Sequence, residues 1–210
     1  MRPFTAFIAD LSFALARPLP GADAHALMSP RPRRRWLDPA DRVRHAAGLL
    51  LLFPRDACAH IILTVRAETL GRHSGQISLP GGVIEPGEAF EQAALREAHE
   101  EISLQSAEVR IVGSLTPIDI PVSGFRLHPI VGAMDRRPSL VAADGEVARI
   151  LEVPLHDLMA PGAVILTERD RDGQRTAVPA FRVAGDEIWG ATAMVLAELL
   201  VVLGWPGPTE

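Results

Sequence analysis

No lysine occurs anywhere in the 210 residues, so all 21 basic side chains are arginines. Schiff-base and lysine-nucleophile mechanisms are therefore excluded. Tyrosine is absent too, which removes phenolic acid–base chemistry. The single cysteine, Cys58, can neither close an internal disulfide nor build a zinc cluster. With His60 only two residues away on an expected strand, Cys58 reads as a plain buried or half-buried thiol. The cytoplasm is the natural compartment for such a chain. No apolar run reaches the ~18–20 residues of a membrane span, and no membrane partner is expected. A net charge of −5 argues against a nucleic-acid scaffold, whose footprint is usually basic.

Hydrophobic residues make up 48% of the chain and charged residues 22%. That suffices for one well-buried domain with an N-terminal extension. Phe4, Phe7, Ile8, Leu11 and Leu15 follow i, i+3, i+4 spacing, so residues 3–16 read as an amphipathic helix. An Arg-containing amphipathic start is a form that transit peptides take. Asp10 inside the stripe and the lack of a small-residue cleavage signal favour a docked helix, seated on the domain or on a second copy in a homodimer. Pro18, Pro20 and Gly21 stop it, and residues 22–28 form a short helical piece. Pro30, Pro32 and the run Arg33, Arg34, Arg35 make an exposed connector, read as a solvated loop or, alternatively, as an anion-attracting rim. Residues 1–45 are thus the helical extension and connector, and residues 46–206 the domain.

Within the domain, residues 47–53 and 60–66 are apolar runs of strand length, and residues 76–79 a short strand before Pro80-Gly81-Gly82. Residues 109–115 and 127–134 read as strands separated by a loop at 117–124. Residues 147–153 form another strand, followed by a helical turn at 155–159. Residues 164–167 and 178–183 bracket a hairpin, and residues 192–203 form a closing apolar helix. Strands outnumber helices, with substantial helices in the middle and at the end. That pattern predicts an α+β fold, a mixed β-sheet sandwiched between helices.

The informative stretch runs from Gly82 to Leu104. Pro86-Gly87 is a strong turn signal, and residues 89–102 hold good helix formers with an apolar stripe of Ala94, Leu95, Ala98 and Ile102. Glu97, Glu100 and Glu101 fall at i, i+3 and i+4, on one helix face. Three carboxylates there repel one another and sit toward the end of the helix where the macrodipole disfavours negative charge. A cost with no local compensation points to a cation among hard oxygen ligands, Mg²⁺ or Mn²⁺. The alternative, a solvated acidic face, leaves the fixed offsets of Gly82, Glu88 and Arg96 unexplained.

Those offsets carry a resemblance. Gly82, Glu88, Arg96, Glu97, Glu100, Glu101 and Leu104 match the Nudix box, G-x5-E-x7-R-E-U-x-E-E-x-G-U, where U is a bulky apolar residue. Ala98 is a small occupant of an apolar position, and Ser103 replaces the box glycine. A serine there costs up to ~1 kcal/mol if its φ is positive. The resemblance implies the Nudix fold, an α/β/α sandwich, with divalent-metal dependence and hydrolysis of a nucleoside diphosphate linked to another group. It casts Glu97 and Glu101 as principal metal ligands, Glu100 as an addition to the cluster, and Gly82 as the point of close backbone approach. Glu88 and Arg96 become structural, tying loop to helix. A cluster carboxylate accepts a proton from the attacking water, and the box leaves open which one.

Upstream, Ile62-Leu63-Thr64-Val65-Arg66-Ala67, then His73-Ser74-Gly75-Gln76, then Leu79-Pro80-Gly81-Gly82 resemble the signature that accompanies the box in coenzyme A pyrophosphatases. Ile62 and Leu79 are mild departures from it, and the closing Ile188-Trp189-Gly190-Ala191-Thr192-Ala193 also resembles that subfamily. The implied substrate is coenzyme A or acyl-CoA, with Arg66, His73, Gly75 and Gln76 at the diphosphate and Phe125 adding a stacking or backbone contact. The alternatives are hydrolysis of ADP-ribose, a dinucleotide or a nucleoside triphosphate, or a ligand-sensing domain without catalysis. An eroded carboxylate cluster would mark a sensor, and this one is intact.

Overall fold

The computed structural model describes residues 3–30, 43–67, 75–121, 123–171 and 174–208. The basic run Arg33–Arg35 and His73 lie outside the described residues. Helices α1 (Phe4–Leu15) and α2 (Gly21–Leu27) precede strands β1 (Arg44–Arg55), β2 (Cys58–Arg66), β3 (Ile77–Ser78) and β4 (Gly81–Val83). Helix α3 (Phe90–Ile102) leads to β5 (Arg110–Ser114), β6 (Ile118–Ile120), β7 (Phe125–Ala133) and β8 (Val147–Pro154). Then come α4 (Leu155–Met159), β9 (Val164–Arg171), β10 (Gln174–Val183), β11 (Asp186–Trp189) and α5 (Gly190–Val202).

The large sheet runs β3-β2-β1-β7-β5, with β4 beside β1, β6 beside β7 and β8 beside β2. Strand β1 pairs parallel with β7 and antiparallel with β2 and β4, so the sheet is mixed. Strands β9, β10 and β11 form a separate antiparallel sheet.

Strand β1 is apolar without alternation because both its faces are covered. Ala47, Leu49, Leu51 and Phe53 face α3, which presents Ala93, Ala94, Ala98 and Ile102. Leu50 and Leu52 face the other way, with Leu63, Val131, α1 and α5. Helices therefore close both faces of the sheet, as an α/β/α sandwich of the α+β class requires.

Helix α1 docks on this body, with Ile8 and Leu11 buried in the α5-side core. Fully buried Glu198 of α5 ties in α2: it accepts from the backbone N–H of Gly21 at 3.0 Å, from Thr116 Oγ1 at 2.6 Å and from the Thr116 N–H at 3.0 Å.

Three strands differ from the sequence expectation. The expected loop 117–124 contains β6, whose Ile118 and Ile120 flank Asp119 while pairing with Leu127 and Phe125. Pro117 and Pro121 bracket that strand so tightly that it reads as loop. Strand β11, in a stretch to which the sequence assigns no element, follows the two-residue turn Ala184-Gly185, both at positive φ. Strand β4 falls within the glycine pair that looked like a strand end.

Candidate active site

Helix α3 starts where the Ala89 N–H donates to Gln92 Oε1 at 3.0 Å, one half of a capping box, since Ala89 has no side-chain oxygen to return it. It ends at Ser103, at φ 55° and ψ 30°, the left-handed region where the box glycine belongs. His99 Nδ1 donates to the Leu104 carbonyl at 2.9 Å and holds the chain through that turn.

Arg96 organises the loop before the helix. Its Nε and Nη2 donate to the two oxygens of Glu88, both at 3.0 Å, and Nη2 also reaches the Val83 carbonyl at 3.0 Å. Glu88 in turn accepts the Glu85 N–H at 3.1 Å. The guanidinium beside Glu88 holds that carboxyl below the usual range, and the paired Arg96 cannot be deprotonated. Arg96 Nη1 donates to Glu97 at 2.9 Å and to Glu100 at 3.2 Å.

The three cluster carboxylates are consequently not equivalent. Glu100 is largely exposed, while Glu97 is half-buried and Glu101 buried. Glu101 accepts the Gly81 N–H at 3.2 Å. Burial pushes its carboxyl up to about 7, against the pull of Gly81 and of Arg66, with the charges of Glu146 and Glu97 adding to the rise. Burial likewise raises Glu97, opposed by Arg96 and reinforced by Glu100 and Glu146. The charge of Glu146, exposed just before β8, thus acts on both carboxylates. The residue stands 42 residues beyond the end of the box and has no spacing signal in the sequence.

The glycine pair has a steric reason. A Cβ at Gly82 would lie 2.5 Å from the Glu97 carboxylate, and one at Gly81 2.3 Å from the Ala47 carbonyl. Among the described residues, no three His, Cys, Asp or Glu side chains already form a metal cage. Arg96 holds Glu97 and Glu100 in its stead. The donor set nonetheless fits a hard divalent ion: it is all carboxylate, and burial of Glu97 and Glu101 outweighs what Arg96, Gly81 and Arg66 give back to their ionised forms.

Beside the glycine pair opens a cleft of about 410 Å³, lined by Arg66, Gln76, Leu79, Gly81 and Gly82 together with Ile120, Leu127, Ala191 and Thr192. The β2–β8 register shifts between Val65 and Arg66, where β8 carries the extra residue Ala148. The Arg66 N–H donates to Gln76 O at 3.0 Å, Gly75 returns a bond to Arg66 O at 3.2 Å, and Ala67 N–H donates to Glu146 O at 2.9 Å. One backbone knot therefore positions Arg66, Gln76 and Glu146 together. Thr192 Oγ1 donates to Ile77 O at 2.9 Å and seats α5 at the cleft floor. Phe125 stands outside the cleft wall, two residues from Leu127 on the same face of β7. A larger groove of about 880 Å³ lies between α1, α4 and the β1–β2 turn, but it is mainly apolar and contains no box residue.

Residues 42–180 match the NUDIX domain. Over 174 residues the chain is 34% identical to the Nudix hydrolase NudL of Photorhabdus laumondii, covering 82% of this chain and 90% of that protein. The chain belongs to the Nudix family. NudL of Citrobacter koseri is 33% identical, over 77% of this chain and 84% of its own. The crystal structure of RenU, a Nudix hydrolase from M. smegmatis, shares the fold with a TM-score of 0.56 at 19% identity, covering 87% of this chain and 97% of that one. Nudix hydrolases act on pyrophosphate bonds in small nucleotide-derived substrates and generally use Mg²⁺ or Mn²⁺. Among the described residues no helix is long and apolar enough to cross a membrane.

Proposed function

We propose that this Nudix hydrolase cleaves the diphosphate of coenzyme A or acyl-CoA, giving 3′,5′-ADP and (acyl-)4′-phosphopantetheine. The observation that carries the reading is the convergence of Arg66, Gln76, Leu79 and the Gly81–Gly82 pair on one cleft. These residues come from the two adjoining sequence signatures, and separate strands bring them together.

Glu97 and Glu101, with Glu100 beside them and Gly82 backing the site, would hold Mg²⁺ or Mn²⁺. The ion supplies neutralisation of diphosphate charge and a more acidic bound water. Arg66 offers a planar fork to the phosphate oxygens, with Gln76, Gly75 and His73 completing the binding set. A carboxylate of the cluster, which Glu146 joins from the β8 side, accepts the proton of the water that attacks phosphorus as the bridging P–O bond breaks. The cleft wall at Leu79 and Ala191 suits the pantetheine arm. The lone thiol, Cys58, is free and suits the cytoplasm as the compartment.

The test is turnover with Mg²⁺ on coenzyme A, acetyl-CoA, ADP-ribose, a diadenosine polyphosphate and a nucleoside triphosphate, with products identified by mass. Coenzyme A or its thioester should show the highest kcat/KM. A much higher value for ADP-ribose or a dinucleotide would defeat the substrate assignment and leave the hydrolase assignment standing.

A further inference from the structure

We infer that Arg44 and Phe125 form the nucleobase subsite of this enzyme, the Arg44 guanidinium being the platform on which the base stacks. The inference rests on the proposal that a nucleoside diphosphate derivative is cleaved beside Gly81 and Gly82. It adds the direction in which that substrate lies.

The Arg44 guanidinium carbon sits 4.0 Å over the centre of the Phe125 ring. Its Nη2 donates to Ser123 O at 2.9 Å, and its backbone N–H donates to Gly124 O at 3.0 Å. One face of the guanidinium is thus laid on an aromatic ring and its edge is tethered, while the residue as a whole stays exposed. An exposed arginine normally loses much rotamer freedom on binding. Here that ordering has already occurred in the folded chain. A guanidinium held over a ring at that distance, on an exposed residue, is placed to stack on a planar heterocycle.

The location fits the substrate. Arg44 pairs with Phe125 across the parallel β1–β7 ladder, and Ala46 pairs with Leu127. Side chains two apart on a strand share a face, so Arg44 and Phe125 extend the wall that Ala46 and Leu127 give the cleft. Gly82 pairs with Ala47, three residues from Arg44. At ~3.3 Å per residue that separation is about 10 Å. One ribose and one base, attached to a diphosphate at Gly82, fill such a span. The nucleoside half then points out along β1, and the other half points inward toward Ala191 and Thr192.

A second aromatic group lies on the opposite face of the sheet. There Phe90 and His128 stack with ring centres 3.7 Å apart, and His45 Nδ1 lies 2.9 Å from His128 Nε2. Those rings are already each other's partners. They provide the control.

The experiment compares binding of AMP with that of ribose 5-phosphate by calorimetry in Mg²⁺. These probes share a phosphate and a sugar and differ by the base. Wild type should prefer AMP by about 5- to 100-fold, the scale of one stacking contact, and Arg44→Ala and Phe125→Leu should each remove most of that preference. Arg44→Lys should behave like Arg44→Ala, because it keeps the charge and loses the plane. With a hydrolysable substrate, Arg44→Ala should raise KM and leave kcat within about twofold, as expected for lost uniform binding. Melting temperature and far-UV circular dichroism verify that each variant folds. The inference is overturned if wild type shows no preference for AMP, if Arg44→Lys keeps it, or if Phe90→Leu abolishes it while Phe125→Leu does not. Loss of the preference in the Arg44 and Phe125 variants of a protein that fails to hydrolyse coenzyme A would sustain the subsite and defeat only the substrate assignment.

Discussion

His25 Nε2 lies 2.9 Å from Glu198 Oε2, with both side chains shut away from solvent. The contact joins residues 173 apart in sequence, one on α2 and one on α5. Burial works to raise the Glu198 carboxyl, but His25 and Thr116 outweigh it and hold the group below its ordinary value. A depressed carboxylate adds stability above the unfolded-state value of 4.5, and that stability is lost as pH falls through the folded value. Glu198→Ala should cost about 3–5 kcal/mol at neutral pH, because it strands several buried donors at once. Urea unfolding at pH 7 and pH 3.5 checks this: the gap between variant and wild type should narrow at the lower pH.

Glu97→Gln and Glu101→Gln should each lower turnover in Mg²⁺ on the order of 10²–10⁴-fold while the fold is kept. Steady-state kinetics and melting curves on the same samples provide the measurement. Near-full activity in either variant would remove that residue from the site.

Glu101 also predicts a pH effect on the metal-free protein. Its folded-state carboxyl is raised from 4.5 to about 7. The sign is opposite to that of Glu198: this contribution to stability is fully present below 4.5 and is lost as pH rises toward 7. At pH 8 in EDTA, Glu101→Gln should be more stable than wild type by on the order of 1–3 kcal/mol, and at pH 4 the difference should vanish. Added Mg²⁺ should raise the wild-type melting temperature and leave that of the variant nearly unchanged. A variant less stable than wild type at pH 8 would contradict the burial argument.

Ser103 and Ala57 carry positive φ of 55° and 61° without being glycine. Ser103→Gly and Ala57→Gly should each stabilise the protein by about 0.5–1 kcal/mol, additively, since one ends α3 and the other turns β1 into β2. Chemical denaturation of the two single variants and the double variant measures this. Activity should not fall in Ser103→Gly, which restores the box residue.

Arg66→Lys should impair coenzyme A turnover clearly, by about 10-fold or more, because a point charge replaces a planar fork. Retained kcat/KM would move Arg66 from the diphosphate to a general electrostatic role.

The box was legible because its spacing is helical. Glu97, Glu100 and Glu101 share a face in any α-helix, whereas the tie between Glu88 and Arg96 followed from the family resemblance and is an ion pair in the structure. The apolar run of β1 and the amphipathic stripe of α1 were legible for the same reason, being local patterns. What escaped depends on pairing across the sheet. The charge of Glu146 bears on the cluster only because β8 lies beside β2, and Arg44 meets Phe125 only because β1 lies beside β7. Strand β6 escaped because three residues between two prolines carry too little period to count. Neither the inequality of the three glutamates nor the sharing of Arg96 between them is written in residue order.

The β1–β7 ladder pairs residues 81 positions apart, from Arg44 with Phe125 to Leu52 with Ala133. Ladders of that sequence separation close late, since the entropy of a long loop is spent before any contact rewards it. Helix α3 packs on Ala47, Leu49 and Leu51 of one strand and on Ile130 of the other. During synthesis the carboxylate-bearing helix therefore emerges before half of its floor exists. Refolding followed by hydrogen exchange should find protection appearing in the β1–β2 hairpin well before it appears in α3.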